Sequence, residues 1–157
     1  MKEAEIEFYL RPGAIQPKKA HPTDAAWDLY LNEWPVYPEF INSGYDGQVT
    51  AIGTGLHLKL PPGYWASIWP RSGHTVNLSG TFQVKHGVID ETYTDEIKVM
   101  VEVFNRGKAS EVLVPGFKIA QLIIQKVEPV EFKELNEYEF MKYRQQSRGG
   151  FGSSGSI

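Results

Sequence analysis

An aspartate and a tyrosine stand where an apolar run ends and could do chemistry together. Residues 87–93 read Gly-Val-Ile-Asp-Glu-Thr-Tyr, so the apolar run leads directly into Asp90, and Tyr93 follows three positions later. The apolar residues can anchor the backbone in a core and hold the carboxylate beside the ring. Such a carboxylate could align a water molecule over a bound substrate. The alternative is a strand that leads into a turn containing an ordinary aspartate.

Two further segments bring polar groups next to apolar runs. Asp28 stands between apolar neighbours and could hold the water shell of Mg²⁺, which prefers oxygen ligands and keeps several waters. The alternative is a turn or capping aspartate. Pro70 ends another apolar run and is followed by Arg71, Ser72 and Gly73. The guanidinium and the hydroxyl suit phosphate oxygens, whereas the alternative is a surface turn with a solvated arginine.

Gln121 is a polar residue inside the apolar run at 119–124. A buried side-chain amide needs hydrogen-bond partners. It can bond to backbone across a subunit contact, reach a ligand, or be satisfied within its own fold. The sequence leaves these three roles open.

The segment at 144–157 is too rich in glycine and serine to pack as core. Such ends are most often flexible. This one also contains Arg144, Arg148 and one aromatic residue, Phe151, within a glycine run. That composition allows a backbone that wraps a phosphate and a ring that stacks on a base.

Short apolar segments punctuated by glycine and proline make up most of the chain and must position these side chains. Many short strands with turn signals at this spacing predict an all-β sandwich or barrel. One helix is expected, at about residues 135–143. The expected strands lie at 49–52, 55–60, 65–69, 98–104, 111–114 and 119–124.

Length and composition limit the classes of protein to consider. The chain has 157 residues, which suits one domain with its own core, and 41% of them are hydrophobic. Cysteine is absent, which removes cysteine-ligated metals and fits a cytoplasmic location, and the histidines have no spacing typical of a metal site. We expect neither a membrane span nor a secretory signal. A net charge of −3 argues against nucleic-acid binding, so an anionic ligand would need a local cluster of cations, a backbone nest or a divalent metal.

Taken together and in order, five segments resemble the five motifs of the trimeric deoxyuridine triphosphatases (dUTPases). They lie at residues 25–29, 70–73, 87–93, 116–122 and 148–155 and span nearly the whole chain. The resemblance implies a β jelly roll at 1–143 and a flexible C-terminal arm at 144–157. It also implies a homotrimer in which each active site is built from more than one subunit and a neighbour's arm closes over the ligand.

The resemblance also implies a reaction and a role for each matched residue. The reaction is hydrolysis of dUTP to dUMP and pyrophosphate with Mg²⁺. Asp90 matches the carboxylate that activates water and bonds the sugar 3′-OH, Tyr93 matches the ring under the deoxyribose, and Asp28 matches the aspartate that orders waters around the metal. Arg71, Ser72 and Gln121 match residues on the phosphate side. The segment at 84–87 matches the hairpin whose backbone reads uracil, and Phe151 matches the aromatic residue of the arm that stacks over the base. The substrate-binding residues implied in this way are Arg71, Ser72, Gly73, Val84, Lys85, Gly87, Val88, Tyr93, Gln121, Arg148, Phe151, Gly152 and Ser153.

The chain departs from the family pattern at Trp27, where the family usually has tyrosine or another residue, and in three further places. After Tyr93, Asp95 stands where the family usually has a glycine. Gln146 stands where the family usually has the arginine of the arm, so either Arg144 or Arg148 is left to clamp the γ-phosphate. The connection at 32–48 is longer than usual, and its aromatic residues at 34–45 form extra packing or a surface for a protein partner.

Two other functions remain open from the sequence. One is a dCTP deaminase or bifunctional enzyme of the same superfamily, for which Glu91 or Glu96 would supply the acid/base carboxylate. The other is a partner-binding protein with this fold, for which the segment at 34–45 would be the contact.

Overall fold

The computed structural model of the chain describes residues 4–36 and 48–145, which contain nine strands and three helices. The helices are α1 (Ser72–Asn77), α2 (Arg106–Val112) and α3 (Glu137–Arg144). The strands are β1 (Glu7–Leu10), β2 (Trp27–Tyr30), β3 (Gln48–Gly53), β4 (Leu56–Lys59), β5 (Tyr64–Pro70), β6 (Phe82–Val84), β7 (Gly87–Ile89), β8 (Lys98–Val103) and β9 (Lys118–Lys126).

Three antiparallel sheets form a fold of the jelly-roll type expected from the sequence. The largest has the strand order β2-β9-β5-β7, the second has the order β3-β8-β6, and the third pairs β1 with β4. Buried apolar side chains from all three sheets share one core, as Leu29, Ile52 and Leu58 illustrate. The core therefore lies between the sheets and fixes the strand ends that carry the polar residues.

Strand β8 shows why these sequences form half-buried strands. Val99, Val101 and Val103 are buried, whereas Lys98 and Met100 are exposed. Successive side chains of a strand point to opposite faces, so one face of β8 packs on the core and the other faces outward.

The strand expected at 111–114 is wrong, because helix α2 covers its first half. The Asn105 side chain caps this helix by accepting a hydrogen bond from the backbone N–H of Lys108 at 3.0 Å. Ala109 of this helix and Leu113, which follows it, are buried in the core. A run of three apolar residues cannot by itself distinguish a strand from a buried helix end. Helix α1 was not expected either.

Helix α3 confirms the helix expected at 135–143. The Asn136 side chain accepts from the backbone N–H of Glu139 at 3.0 Å, and the Glu139 carboxylate accepts from the backbone N–H of Asn136 at 3.2 Å. This reciprocal capping box satisfies two backbone donors at the start of the helix. None of its described side chains is buried.

The chain divides into two compact units, residues 1–127 and 128–157. The first unit contains all of the described strands, and the second contains α3. The domain boundary expected between residues 143 and 144 stays a prediction. Within 4–36 and 48–145, no helix has both the length and the apolar character needed to cross a membrane.

Candidate active site

Asp28 is at the centre of a cluster of charged groups at one end of the large sheet. It pairs in register with Gln121 of β9, which in turn pairs with Trp69 of β5. Asp28 is buried, at 6% exposure. Oδ1 accepts from Nε of Arg71 at 3.1 Å, and Oδ2 lies 3.1 Å from Nζ of Lys118. One buried carboxylate therefore holds two cations, and the three side chains together carry a net positive charge.

This charge arrangement suits an anion. Asp28 is held in place by both cations, and removing either one would leave part of a buried charge uncompensated. Arg71 and Lys118 are themselves only partly covered, so their remaining N–H groups can face a ligand. A guanidinium has five N–H donors in a fixed plane, which matches the geometry of phosphate.

Arg71 is also the N-cap residue that precedes helix α1. Its backbone is extended (φ −86°, ψ 135°), and its carbonyl accepts hydrogen bonds from the backbone N–H of His74 and of Thr75, both at 3.1 Å. Ser72 and Gly73 follow in the first turn and are exposed. A Cβ added at Gly73 would meet no atom of the described chain within 4 Å. The turn therefore presents an open surface beside the arginine.

The segment from Asp90 to Tyr93 is a fixed turn directly after β7. The backbone N–H of Tyr93 donates to the carbonyl of Asp90 at 3.0 Å, and the Tyr93 hydroxyl donates to the carbonyl of Glu96 at 3.0 Å. Ile89, just before the turn, is buried, whereas Asp90 is exposed. The structure therefore brings Asp90 and Tyr93 together and holds the Tyr93 hydroxyl, while 41% of the residue stays exposed.

Glu96 anchors this turn from behind. Oε1 accepts from the backbone N–H of Gly55 at 2.8 Å, and Oε2 lies 3.1 Å from Nη1 of Arg11. Gly55 has a φ of +69°, and a Cβ there would lie 2.5 Å from the Cβ of Ala14. Only glycine fits at this position, so the anchoring amide has a fixed place at the start of β4.

The charged cluster and the Asp90 turn lie at opposite ends of β5. Ile89 pairs with Ala66 near the start of β5, whereas Arg71 directly follows its last residue, Pro70. Arg71 is five positions beyond Ala66, which corresponds to about 16 Å at ~3.3 Å per residue. Within one chain, the structure therefore does not bring Asp90 next to Arg71.

The residues expected to contact uracil lie at the β6–β7 connection. The backbone N–H of Lys85 donates to the carbonyl of Met100 at 2.9 Å, and the Lys85 ammonium pairs with Glu102. Gly87 begins β7, where a Cβ would lie 3.4 Å from the side chain of Ile68. Two further members of the expected set are Val84, which is buried, and Val88, which is 71% exposed.

Other expected residues belong to parts of the chain that the structure does not describe. Arg148, Phe151, Gly152 and Ser153 lie outside the described residues, as do most positions of the segment at 34–45. Arg144 is described and is the last residue of α3.

Three residues that build the site were not predicted from the sequence. Lys118 reaches Asp28 only because β2 and β9 are neighbours, and a sequence alone does not reveal that pairing. His74 contacts Arg71 across one turn of a helix that was not expected. Glu96 was considered only as an acid/base residue, not as an anchor of the turn.

Within the described ranges, no group of three or more acidic or histidine side chains is arranged to hold a metal ion. Asp28 is the only carboxylate among the side chains in ion-pair contact with Arg71 or Lys118 in those ranges. This donor set does not suit a cage of protein ligands. It is compatible with Mg²⁺ that is carried by phosphate oxygens and keeps its waters, which is the usual state of this ion at phosphate sites.

Residues 13–155 match the family model described as dUTPase. The chain belongs to the dUTPase family. This confirms the resemblance found in the five segments, and the chain is therefore an enzyme of the dUTPase type.

Relatives from bacteria are similar over almost the full length. The deoxyuridine 5′-triphosphate nucleotidohydrolase of Clostridium acetobutylicum is 36% identical over 142 residues, covering 90% of each chain. That of Thermobifida fusca is 37% identical over 147 residues, covering 93% of this chain and 75% of the relative.

Solved structures of phage dUTPases share the fold of this chain. A mutant dUTPase of Staphylococcus bacteriophage 80alpha, solved with dUpNHpp, has a TM-score of 0.73 at 23% identity and covers 98% of this chain and all of that one. A mutant dUTPase from phage phi11 of S. aureus, described with a structural Mg(II) ion, has a TM-score of 0.66 at 22% identity and covers 87% of this chain and all of that one. At these identities the likeness shows the fold alone.

Proposed function

We propose that this enzyme hydrolyses dUTP to dUMP and pyrophosphate by attack of a water molecule, oriented by Asp90, on the α-phosphorus. The observation that carries the proposal is the fixed turn that holds an exposed Asp90 beside the ring of Tyr93, in a chain of the dUTPase family. The curated relatives named above are deoxyuridine 5′-triphosphate nucleotidohydrolases, and the 80alpha enzyme was solved with dUpNHpp. A carboxylate can orient a water and accept its proton as the bond to phosphorus forms.

The charged cluster supplies the phosphate side of the site. Arg71 and Ser72 would bind the oxygens of the leaving pyrophosphate, Gly73 leaves room for them, and Gln121 lies in the adjacent strand. Among the described residues, the Gln121 side chain has no hydrogen-bond partner, so its amide is available to a ligand. Phosphoryl transfer depends mainly on positioning and on neutralising charge, and this cluster provides both.

Mg²⁺ is the metal that fits this site. It would be carried by the phosphates, with Asp28 accepting hydrogen bonds from its waters through the lone pairs that Arg71 and Lys118 leave free. When bound, the ion neutralises negative charge on the triphosphate. The phi11 enzyme is described with a structural Mg(II) ion, which supports a divalent ion in this fold.

The base and the sugar would be recognised by two elements. Tyr93 would pack under the deoxyribose and leave no room for a 2′-OH, because its ring is held by the hydroxyl contact with Glu96. The backbone from Val84 to Val88 would read uracil, although the N–H of Lys85 is already used in the sheet.

A homotrimer with shared active sites fits the separation along β5. If Asp90 and Arg71 both contact one triphosphate, they come from different subunits, since Ala66, the β5 partner of Ile89, already lies about 16 Å from Arg71 along the strand. The arm residues Arg148, Phe151, Gly152 and Ser153 would close over the ligand, with Arg148 or Arg144 on the γ-phosphate. The domain boundary at 143, the cytoplasmic location and a protein partner at 34–45 stay predictions.

The structure favours the diphosphatase over the dCTP deaminase alternative. A deaminase needs a free carboxylate near the amino group of cytosine. Glu91 accepts from the backbone N–H of Gly63 at 2.8 Å, and Glu96 is engaged with Gly55 and Arg11. Both carboxylates therefore hold backbone in place.

Pyrophosphate release tests the proposal. The protein would be incubated with dUTP, dCTP, dTTP or UTP, with Mg²⁺ and again with a chelator, beside the variants Asp90→Asn and Asp95→Asn. We expect release from dUTP alone, loss with the chelator, and a fall of at least about 100-fold in kcat for Asp90→Asn. Asp95→Asn is the matched control, because it removes an exposed carboxylate five residues later, and it should keep its activity.

Two results would contradict the proposal. Ammonia release from dCTP would favour the deaminase alternative. No pyrophosphate from any nucleotide would favour a partner-binding protein, and binding experiments would then turn to the segment at 34–45.

A further inference from the structure

His74 has an environment that the proposed reaction does not explain. Its ring stacks on Phe117 with centroids 5.0 Å apart and planes 13° apart, and the edge of Phe82 approaches at 5.8 Å. Phe117 precedes β9, and Phe82 begins β6, so the histidine of α1 is clamped between two other parts of the fold. A polar ring is held here where an apolar side chain would pack as well.

The polar contact of this ring is with Arg71. Nη1 of Arg71 lies 3.4 Å from Nε2 of His74. A guanidinium in a protein keeps its protons, so Arg71 is the donor and Nε2 is the acceptor. The imidazole is then neutral, with its proton on the buried Nδ1.

The guanidinium of Arg71 is therefore held at two of its three nitrogens. Nε donates to Asp28 at 3.1 Å, and Nη1 donates to His74. Two contacts in one plane fix the orientation of that plane, and three of the five N–H groups remain for a ligand. Asp28 alone would leave the group free to rotate about its Nε contact.

We propose that His74 is a positioning residue, which orients the Arg71 guanidinium for the phosphates of the nucleotide by accepting a hydrogen bond from Nη1. This rests on the proposed function, in which Arg71 binds the phosphates. The two phenylalanine rings fix the imidazole, and the imidazole fixes the guanidinium. Phosphate affinity thus depends on an aromatic clamp that does not touch the substrate.

The charges around the ring keep it in the accepting form. Burial and, after it, the charge of Arg71 lower the pKa of His74 below its usual 6.5, and the Ile119 carbonyl and Asp28 oppose this to a smaller extent. The charged groups in this cluster are Arg71 at the N-cap of α1, Asp28 on β2 and Lys118 on β9, whereas β6 contributes the uncharged Phe82. Protonation at low pH would convert the acceptor into a donor and place a second cation beside Arg71.

Two substitutions separate positioning from packing. His74→Leu keeps an apolar side chain between the two rings but cannot accept a hydrogen bond, whereas His74→Gln keeps an acceptor. For each variant we would measure KM and kcat for dUTP and the dissociation constants of dUMP and of a non-hydrolysable dUTP analogue. His21→Leu, which removes an exposed histidine, is the control.

We expect His74→Leu to weaken binding of the triphosphate analogue about tenfold, the effect of one hydrogen bond to a charged group. KM should rise accordingly. Binding of dUMP should change by less than about twofold, because dUMP lacks the two terminal phosphates, and His74→Gln should recover most of the loss. If His74→Leu acted only through packing, it would bind both dUMP and the analogue poorly, and this result would overturn the inference. Equal affinities of His74→Leu and His74→Gln for the analogue would also overturn it.

Arg71→Lys distinguishes failure of this inference from failure of the proposed function. If Arg71→Lys binds the analogue as tightly as the unmodified protein does, the phosphate role of Arg71 is wrong and the inference falls with it. If Arg71→Lys weakens binding but His74→Leu does not, only the inference is wrong. In the Arg71→Lys background, His74→Leu should not weaken analogue binding further, because the guanidinium that His74 orients is no longer present.

If His74→Leu does not fold, the pH dependence of analogue binding by the unmodified protein tests the inference instead. The analogue affinity of the unmodified protein should fall as the pH drops below 6.5 and through the lowered pKa of His74. The terminal phosphate of the analogue titrates in a similar range, so the comparison is with His74→Gln, which should lose part of this fall. Identical pH profiles for the two proteins would overturn the inference.

Discussion

At the scale of single residues, Tyr93 has two separable parts. Its ring is 41% exposed, whereas its hydroxyl is engaged with the Glu96 carbonyl. The ring is the part that can exclude a 2′-OH, and the hydroxyl is the part that holds the ring. Selectivity for deoxyribose should therefore depend mainly on the ring and stability partly on the hydroxyl.

Tyr93→Phe and Tyr93→Ala test this division. Tyr93→Phe should lose about 1 kcal/mol of unfolding free energy, the worth of one hydrogen bond, and keep its preference for dUTP over UTP. Tyr93→Ala should lower the ratio of kcat/KM for dUTP to that for UTP by at least about tenfold, because the obstacle to the 2′-OH is removed. Steady-state kinetics with both nucleotides and denaturant unfolding measure the two effects. An alanine variant with unchanged selectivity would show that another group reads the sugar.

The sequence could predict which candidate residues of the site lie next to each other along the chain. Asp90 beside Tyr93 and Arg71 beside Ser72 were found because their chemistry is local in the chain. The contacts of Asp28 with Lys118 and of Arg71 with His74 were not found, since they depend on which strands are neighbours and on a helix of six residues.

At the scale of elements, the turn that carries Asp90 depends on an anchor in another sheet. Glu96 ties the segment between β7 and β8 to the start of β4 through the amide of Gly55. The Arg11 side chain at the other oxygen is half exposed, so this ion pair contributes little to stability. The hydrogen bond to the amide is the contact that holds the turn.

Glu96→Ala and Glu96→Gln should therefore differ. The alanine variant leaves the N–H of Gly55 without its partner, which should cost about 1–3 kcal/mol of unfolding free energy and lower kcat by freeing the turn. The glutamine variant keeps an acceptor and should lose less of both. Denaturant unfolding and pyrophosphate release measure the two quantities.

Glu33→Ala is the matched control for the anchor. Glu33 accepts from the backbone N–H of Gly53 at 2.7 Å, a contact of the same kind at the end of β3. Its removal should lower stability but leave kcat unchanged. A similar loss of kcat in both alanine variants would mean that the effect comes from general destabilisation.

The elements themselves were partly predictable. Alternating segments such as β8 were found from their period of two residues, and α3 was found from its composition. The prediction of a strand at 111–114 was wrong because three apolar residues fit a strand and a helix end equally well. The order β2-β9-β5-β7, which assembles the charged cluster, follows from long-range pairing that no local pattern reports.

At the scale of the whole molecule, one chain holds the two halves of the proposed site at opposite ends of β5. A closed ring of identical subunits would place one end of a subunit against the other end of its neighbour. Each site then needs an intact Arg71 from one subunit and an intact Asp90 from another.

Mixed oligomers test this arrangement. Arg71→Ala and Asp90→Asn should each be inactive, but trimers assembled from equal amounts of the two should regain about a quarter of the activity, since half of the chains carry each intact residue. Co-expression with two affinity tags yields the mixed species, and pyrophosphate release measures its activity. Each variant co-expressed with itself is the control. Mixed trimers without activity would mean that both residues act within one chain.

The ring contact at the end of β5 gives the molecule an internal optical reporter. The Trp69 indole is about half exposed, donates to Ser67 at 2.8 Å, and meets the His86 imidazole edge to face at 4.6 Å. It lies in register with Gln121 on the side proposed to bind phosphate, while His86 belongs to the connection proposed to read uracil. Indole emission responds to the polarity around the ring and to quenching by a neighbouring imidazole. Nucleotide arriving from either side would disturb this pair, so the intrinsic fluorescence of the protein would follow occupancy of the site without a label.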